Sequence, residues 1–146
     1  MALREPAELV DFDAETALAA GQEVAGSALL TCIEYTHQDF HPLYVADRYL
    51  DRFRDRDQMT AHFAEILAYC YIDFSDRELF EERIGAAGSV QSFLTRLDHV
   101  FVVRLLTDSQ GLFVALTPEA PIQDTLDAMR DVMLDTDTAE GSLYQT

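Results

Sequence analysis

The segment HQDFHP groups side chains whose types and spacing could bind a metal ion. His37 and His41 lie four residues apart, with Asp39 between them. Imidazole and carboxylate groups are common metal ligands, and on a helix this spacing would bring both histidines to one face. The segment ends at Pro42 and is typical of a turn, where the spacing fixes no such geometry. A polar turn is therefore the favoured interpretation, with His37, Asp39 and His41 as the metal candidates and no cofactor predicted.

A second candidate site is the segment YVADRYLDRFRDRDQ, Tyr44 to Gln58, which holds four of the ten arginines. Arg48 and Arg52 are its candidates for contacting an anion, because guanidinium groups pair well with phosphate and carboxylate groups. Four aspartates in the same segment balance the four arginines, so the stretch is neutral. On a helix, arginine and aspartate three residues apart form the ordinary ion pairs of an exposed face. We therefore expect a solvated helix surface here and no anion site.

The remaining reactive residue types do not form a recognisable catalytic pattern. Cys32 and Cys70 stand among apolar neighbours, whereas a cysteine nucleophile needs an electropositive, partly exposed site. Asp98 and His99 are adjacent in a predicted tight turn, and neighbouring residues in such turns commonly point apart. No serine stands in a GxSxG context. These features favour buried thiols and a turn over nucleophilic catalysis.

The charge of the chain is its most informative bulk property. Its formal net charge is −17, with 27 acidic and 10 basic residues, and every basic residue is arginine. An acidic surface without lysine is typical of proteins that stay hydrated in molar salt, where charge repulsion is screened. We therefore predict a haloarchaeal, cytoplasmic protein. The same charge argues against binding to nucleic acid, and neither a signal peptide nor a membrane-spanning stretch is evident.

Hydrophobic periodicity divides the chain into helices and strands. Apolar residues recur at helical spacing near the start of the chain, from Leu9 to Leu18, and again from Met59 to Phe74. Ser75 and Glu78, three residues apart, have the pattern of a capping box. Later segments alternate and are joined by short polar turns, which indicates antiparallel hairpins. In chain order we predict a helix from Pro6 to Gly21, strands Ala28–Thr36 and LYVA, helices Arg48–Phe74 and Asp76–Ile84, strands SVQSFLTRL, VFVVRLLT and GLFVALT, and a helix from Ile122.

The predicted fold is a single α+β domain over residues 1–136, followed by an acidic, flexible tail over 137–146. Its element order is α-β-β-α-α-β-β-β-α, a five-stranded, mostly antiparallel sheet with helices packed on at least one face. This order resembles that of the roadblock, longin and profilin-like domains. The resemblance implies a dimerising scaffold or a sensor module.

Four segments carry a second resemblance: AELVDF, YVADRYLDRFRDRD, ELFEERIG and VQSFLTRLDHVFVVRLL. Together they are similar to an uncharacterised family of small haloarchaeal proteins. That family has no assigned activity, so the resemblance implies no functional residues.

Apolar side chains around the second strand predict a contact with another chain. Tyr44, Val45, Tyr49 and Phe53 supply more apolar surface than a short strand and its turn need, and a bare edge strand invites pairing. We therefore predict a homodimer through these residues. The favoured function is a non-enzymatic interaction or regulatory module. The alternative is a small-molecule-binding protein or small enzyme with a pocket between sheet and helices, lined by His37, His41 or Arg48.

Overall fold

A computed structural model of the chain describes the backbone of residues 1–145 and the side chains of residues 1–134. The acidic tail predicted over 137–146 falls outside the part that is described in full. In the described part, no helix combines the length and apolarity needed to cross a membrane. The elements are β1 Leu3–Arg4, α1 Ala14–Ala25, β2 Leu29–Thr36, β3 Phe40–Val45, α2 Asp47–Leu50, α3 Arg56–Cys70, α4 Asp73–Arg83, β4 Ser92–Arg96, β5 Phe101–Leu106, β6 Gln110–Leu116 and α5 Ile122–Gln145.

The strands form one antiparallel sheet in the order β1-β3-β2-β6-β5-β4. The α+β class and the antiparallel sheet are as predicted, but the sheet has six strands rather than five. The additional strand, β1, pairs Leu3 with Val45 and Arg4 with Tyr44. Two residues are too few to show the alternation by which a strand is recognised in a sequence, so only the pairing reveals it.

Helices cover both faces of the sheet. On one face α1 and α5 pack against each other and against the sheet, around the buried side chains of Leu18, Val114 and Met129. On the other face α3 buries Met59, Phe63, Leu67 and Cys70, which are spaced as the sequence predicts for an amphipathic helix. The sheet is thus the middle layer of three, and its central strands are buried on both sides.

The first helix begins later than predicted. Its N-cap is Asp13, whose carboxylate accepts a hydrogen bond from the backbone N–H of Thr16 at 3.0 Å, and the helix proper starts at Ala14. Residues 5–12 form a connection without regular secondary structure instead. The apolar spacing that begins at Leu9 is real, but Leu9 and Val10 donate their backbone N–H groups to Glu34 and take no part in a helix.

The capping box predicted at Ser75 is wrong. Helix α4 begins at Asp73, so Ser75 lies inside its first turn, and no side chain caps the helix at Ile72. An ion pair explains the earlier start, because Asp73 accepts a hydrogen bond from Arg104 of β5 at 2.9 Å. This long-range contact fixes the first residue of α4 against the sheet.

Candidate protein-interaction surface

The three predicted metal candidates do not converge. His37 and Asp39 lie in the turn between β2 and β3, while His41 lies within β3 and contacts Glu34 of β2. The turn is closed by its own backbone, since Thr36 N donates to Asp39 O at 2.9 Å. Within the described residues, no three His, Cys, Asp or Glu side chains are arranged to hold a metal ion.

His41 belongs instead to a cluster built on the completely buried carboxylate of Glu34. Glu34 Oε2 accepts the backbone N–H of Glu8 at 2.8 Å, and Oε1 accepts those of Leu9 and Val10 at 3.1 and 3.0 Å. The Nδ1 atom of His41 lies 2.7 Å from Glu34 Oε2. The Glu34 carboxylate therefore holds residues 8–10, which precede α1, against the sheet.

Carboxylates also surround the other ring nitrogen of His41. Its Nε2 atom lies 3.1 Å from Glu5 Oε2 and 3.6 Å from Glu8 Oε1. Burial opposes a charge on the imidazole, but the hydrogen bond to Glu34 and the charges of Glu8 and Glu34 outweigh it and raise the pKa of His41. We call Glu5, Glu8, Glu34 and His41 the Glu34 cluster.

The raised pKa of His41 predicts a pH-dependent stability. Because the folded chain holds this proton more tightly than an unfolded histidine, whose pKa is 6.5, protonation favours the folded state. The contribution is fully present below pH 6.5 and is lost as the pH rises through the raised pKa of His41. Denaturant unfolding of the natural chain and of His41→Gln should show a stability difference that shrinks as the pH rises. A difference independent of pH would contradict the assignment.

The two arginines proposed as anion candidates are engaged within the chain. Arg48 donates to the backbone carbonyl of Ser27, and the guanidinium of Arg52 lies 5.1 Å from the ring centroid of Tyr49. Both line a small cavity of about 200 Å³ together with His99. The arginine-rich segment forms the short helix α2 and the start of α3, joined by a turn, rather than one continuous helix.

The side chains predicted to form a dimer interface are largely covered by their own chain. Val45 is completely buried and pairs with β1, which covers this end of β3. Tyr44 lies under the guanidinium of Arg4, and the rings of Tyr49 and Phe53 pack on Phe63 of α3. The interface at these residues stays a prediction, but the most exposed large apolar side chains among residues 1–134 lie elsewhere.

Neither cysteine has the environment of a nucleophile. Burial raises the pKa of the Cys32 thiol to about 12, and the charge of Glu34 acts in the same direction. Burial, with the charge of Asp73, raises the pKa of Cys70 to about 11. Because the thiolate is the reactive form, both thiols are held in their unreactive state at neutral pH.

A buried polar group stands at the centre of a groove between α3 and the sheet. Asp73 accepts the hydrogen bond of Arg104 Nε, and the hydroxyl group of Tyr35 lies 3.4 Å from the same carboxylate oxygen. Arg104 also donates to Thr95 Oγ1 of β4 at 2.7 Å. The groove has a volume of about 440 Å³, and it opens between the end of α3 and the β4 edge. Asp73 and Arg104 thus join α4, β5 and β4.

Exposed large apolar side chains are concentrated around this end of the molecule. Tyr69 is 82% exposed, although it lies in a helix whose opposite face is core. Exposed apolar patches on a folded chain commonly mark contact sites with other proteins. We call the following residues the β4 surface: Tyr69, Ile72, Leu79, Phe80, Ile84, Leu94 and Leu97.

The β4 surface surrounds an open strand edge. In the sheet order β4 is the terminal strand and pairs only with β5, so its outer backbone groups have no strand partner in the described part of the chain. Phe93 packs on Phe80 of α4 at 5.9 Å between ring centroids, on the α4 side of the sheet. Leu94 pairs with Val103, whose side chain belongs to the α1–α5 core. Leu94 therefore lies on the face of the sheet that carries α1 and α5, opposite to the face of Phe93. Apolar groups therefore flank the edge on both sides.

The sequence contains a sign of this surface, but apolar periodicity alone does not distinguish exposed apolar residues from core residues. Leu79 and Phe80 are adjacent, so one helix face cannot bury both, and both are about half exposed although the ring of Phe80 packs on Phe93. Glu34 is a similar case, a carboxylate in the apolar strand LLTCIEYT. Its backbone donors precede it by 24–26 residues, so its burial depends on the tertiary structure.

Comparisons with known proteins give a match in structure and none in sequence. No protein-family model and no curated protein matches the chain. A roadblock/LC7 domain from Streptomyces avermitilis has a similar structure, with a TM-score of 0.57 over 88% of this chain and 98% of that one, at 16% identity. MglB, in a tetrameric arrangement, matches with a TM-score of 0.54 over 90% of this chain and 98% of that one, at 10% identity.

These similarities concern the fold. They confirm that the chain has the α+β architecture of roadblock/LC7 domains, which the predicted order of elements resembles. They give no support to the resemblance to small haloarchaeal proteins. The chain is a roadblock/LC7-like domain in fold.

Proposed function

We propose that this chain is a non-enzymatic protein-interaction or regulatory module and that it forms a homodimer through the β4 surface. The observation that carries the proposal is the open edge of β4 with apolar side chains on both of its sides. An uncovered edge strand presents a row of backbone donors and acceptors to another strand. Covering that edge satisfies these groups and removes the flanking apolar side chains from water.

A second copy of the same chain fits this edge well. Two β4 strands placed antiparallel around a twofold axis would continue the antiparallel sheet, and a self-complementary patch is the usual basis of homodimers. Leu94 and Ile84 of each copy would then be close to the partner's edge. MglB, which shares the fold, is described in a tetrameric arrangement, so self-association on this fold has a precedent.

The net negative charge of the chain predicts that salt strengthens this dimer. At a net charge of −17, two copies repel each other, and salt at molar concentration shortens the range of that repulsion to about 3 Å. Apolar contacts are not weakened by such screening. We therefore expect more dimer at high salt, which fits the halophilic cytoplasm that we propose for this protein. An interface held by ion pairs would instead give less dimer at high salt.

The alternative of a small enzyme has weaker support. Both thiols have raised pKa values. His41, which the alternative places in a pocket, has both of its ring nitrogens directed at carboxylates. These contacts hold the N-terminal segment in place and leave the imidazole without a free nitrogen for a substrate.

Light scattering in about 3 M KCl tests the dimer, because charge repulsion is then almost fully screened. We expect the natural chain to be a dimer and the double variant Ile84→Asp, Leu94→Asp to be a monomer. Val24→Asp is the matched control, since Val24 is also an exposed apolar residue but lies on α1, and it should leave the dimer intact.

The double variant Tyr44→Asp, Tyr49→Asp discriminates between the two locations. If this variant is a folded monomer and the Ile84, Leu94 variant remains a dimer, the interface lies at the residues predicted from the sequence and the β4 location is wrong. A natural chain that is monomeric across the salt range would reject the homodimer altogether.

A further inference from the structure

A second cavity, which shares no lining residue with the groove beside Asp73, brings two arginines together. Its volume is about 530 Å³, which is within the usual range for small-molecule sites. Arg77 of α4 and Arg130 of α5 both line it, and the turn between β5 and β6 closes one side. Hydroxyl and amide groups complete the wall, from Ser89, Thr107, Ser109 and Gln110.

The carboxylates at this cavity already have partners. Asp108 accepts a hydrogen bond from Arg77 Nη1 at 2.9 Å, and Asp11 accepts one from the side-chain amide of Gln110 at 3.3 Å. Arg130, in contrast, has no carboxylate within 4 Å among the residues that the structure describes in full.

Arg77 retains an unused donor at the same place. Its side chain is only 12% exposed, and its Nε atom lies 3.3 Å from Glu81 Oε2. That N–H group is not aligned with the carboxylate, so within the described residues it is a buried donor without a hydrogen-bond partner. A buried, unsatisfied donor destabilises the folded chain unless a ligand accepts its hydrogen bond.

The two guanidinium groups also repel each other. Burial lowers the pKa of Arg130, and the charge of Arg77 contributes to the same shift, against the opposing charges of Asp131 and Asp127. Two like charges held at one cavity are stabilised when an anion lies between them. Guanidinium groups bind phosphate and carboxylate oxygens with paired hydrogen bonds, which suits them to this role.

We propose that this cavity binds the oxyanion group of a small molecule, a phosphate or a carboxylate, between Arg77 and Arg130. The hydroxyl groups of Ser89 and Ser109 line the same cavity and can donate further hydrogen bonds, whereas that of Thr107 donates to the backbone carbonyl of Gln110. Arg130 supplies a guanidinium that has no ion pair among the residues described in full, and Arg77 supplies the buried Nε donor. The site is separate from the β4 surface and does not depend on the dimer.

Calorimetric titration tests the site with two probes, potassium phosphate and potassium acetate, at constant ionic strength and at the lowest KCl concentration that keeps the chain folded. We expect saturable binding of at least one anion. Arg130→Gln should weaken it by about tenfold or more, because a charge-assisted hydrogen bond contributes about 1.5–3 kcal/mol. Arg54→Gln, which removes the same charge from an exposed position, should bind as the natural chain does.

The two probes identify the ligand chemistry. Binding of phosphate alone indicates a phosphorylated ligand, and binding of acetate alone indicates a carboxylate ligand. If Arg130→Gln does not fold, Arg130→Lys keeps the charge but not the paired donors, and it should weaken binding several-fold. The proposal is wrong if neither anion binds, or if Arg54→Gln weakens binding as much as the substitutions at Arg130.

Discussion

Glu34→Ala is expected to lower the free energy of unfolding by about 3–5 kcal/mol, the usual cost of removing one partner from a buried charged pair. The substitution leaves the backbone N–H groups of Glu8, Leu9 and Val10 without their acceptor. It also removes the partner of His41 Nδ1. Each of these partly buried donors is destabilising when it has no acceptor, so this single buried carboxylate stabilises the chain more than an exposed ion pair does.

Chemical denaturation measures this effect, and two further variants define it. Glu34→Gln keeps one amide oxygen as an acceptor but loses the charge, so its loss of stability should be smaller than that of alanine. Glu23→Ala, at an exposed position of α1, should change stability by less than about 0.5 kcal/mol. Limited proteolysis should cut Glu34→Ala within residues 5–12 faster than the natural chain. A loss below about 1 kcal/mol in Glu34→Ala would show that the segment is held by other contacts.

The second large effect is expected at the ion pair beside the groove. Asp73→Ala should lower the free energy of unfolding by roughly 3 kcal/mol, because it leaves the guanidinium of Arg104 without its carboxylate. Arg104 is 13% exposed and Asp73 is 5% exposed, so solvent replaces the lost partner only in part. The hydroxyl group of Tyr35 loses a neighbouring acceptor in the same substitution.

A variant that lacks both charges separates the effect of the pair from that of its surroundings. In Asp73→Leu, Arg104→Met both charges are absent, so this variant should be more stable than Asp73→Ala and close to the natural chain. Glu78→Ala, an exposed acidic position on the same helix, serves as the control for removing one charge from α4. If Asp73→Ala is no less stable than Glu78→Ala, the pair does not fix the start of α4.

The Glu34 cluster and the Asp73–Arg104 pair hold opposite parts of the molecule. The first attaches the segment before α1 to β2 and β3, and the second attaches α4 to β5 and, through Thr95, to β4. The β4 surface is therefore presented on elements held by a buried ion pair. Asp73→Ala should for this reason also weaken the proposed dimer, whereas Glu34→Ala acts far from it.

The helices and strands were largely predictable because local patterns encode them. The apolar residues of α3 recur at helical spacing, and the two hairpins of β4, β5 and β6 are separated by short polar turns. Their order was enough to indicate a roadblock-like arrangement, which the structural comparisons confirm as the fold. Element boundaries were less accurate at α1 and α4. There, a contact with a distant residue, Glu34 or Arg104, competes with the local signal.

Candidate sites were harder to predict, since they depend on which distant residues meet. The predicted metal candidates separate because His41 is paired with Glu34, and the arginine pair at the second cavity joins positions 77 and 130, which no local motif connects. Val45 has the residue type of an interface, but β1 covers it.

The sequence by itself determined the class of fold, the antiparallel hairpins, the amphipathic helices and a net charge of −17, because periodicity and composition can be read directly along the chain. Only the tertiary structure decided that a two-residue strand joins the sheet, that Glu34 is buried and that β4 is an open edge. It alone decided that the side chain of Leu94 is exposed whereas that of Val103, its partner in the sheet, is buried. These outcomes depend on which helices and strands pack on each strand, and that packing involves segments far apart in the chain.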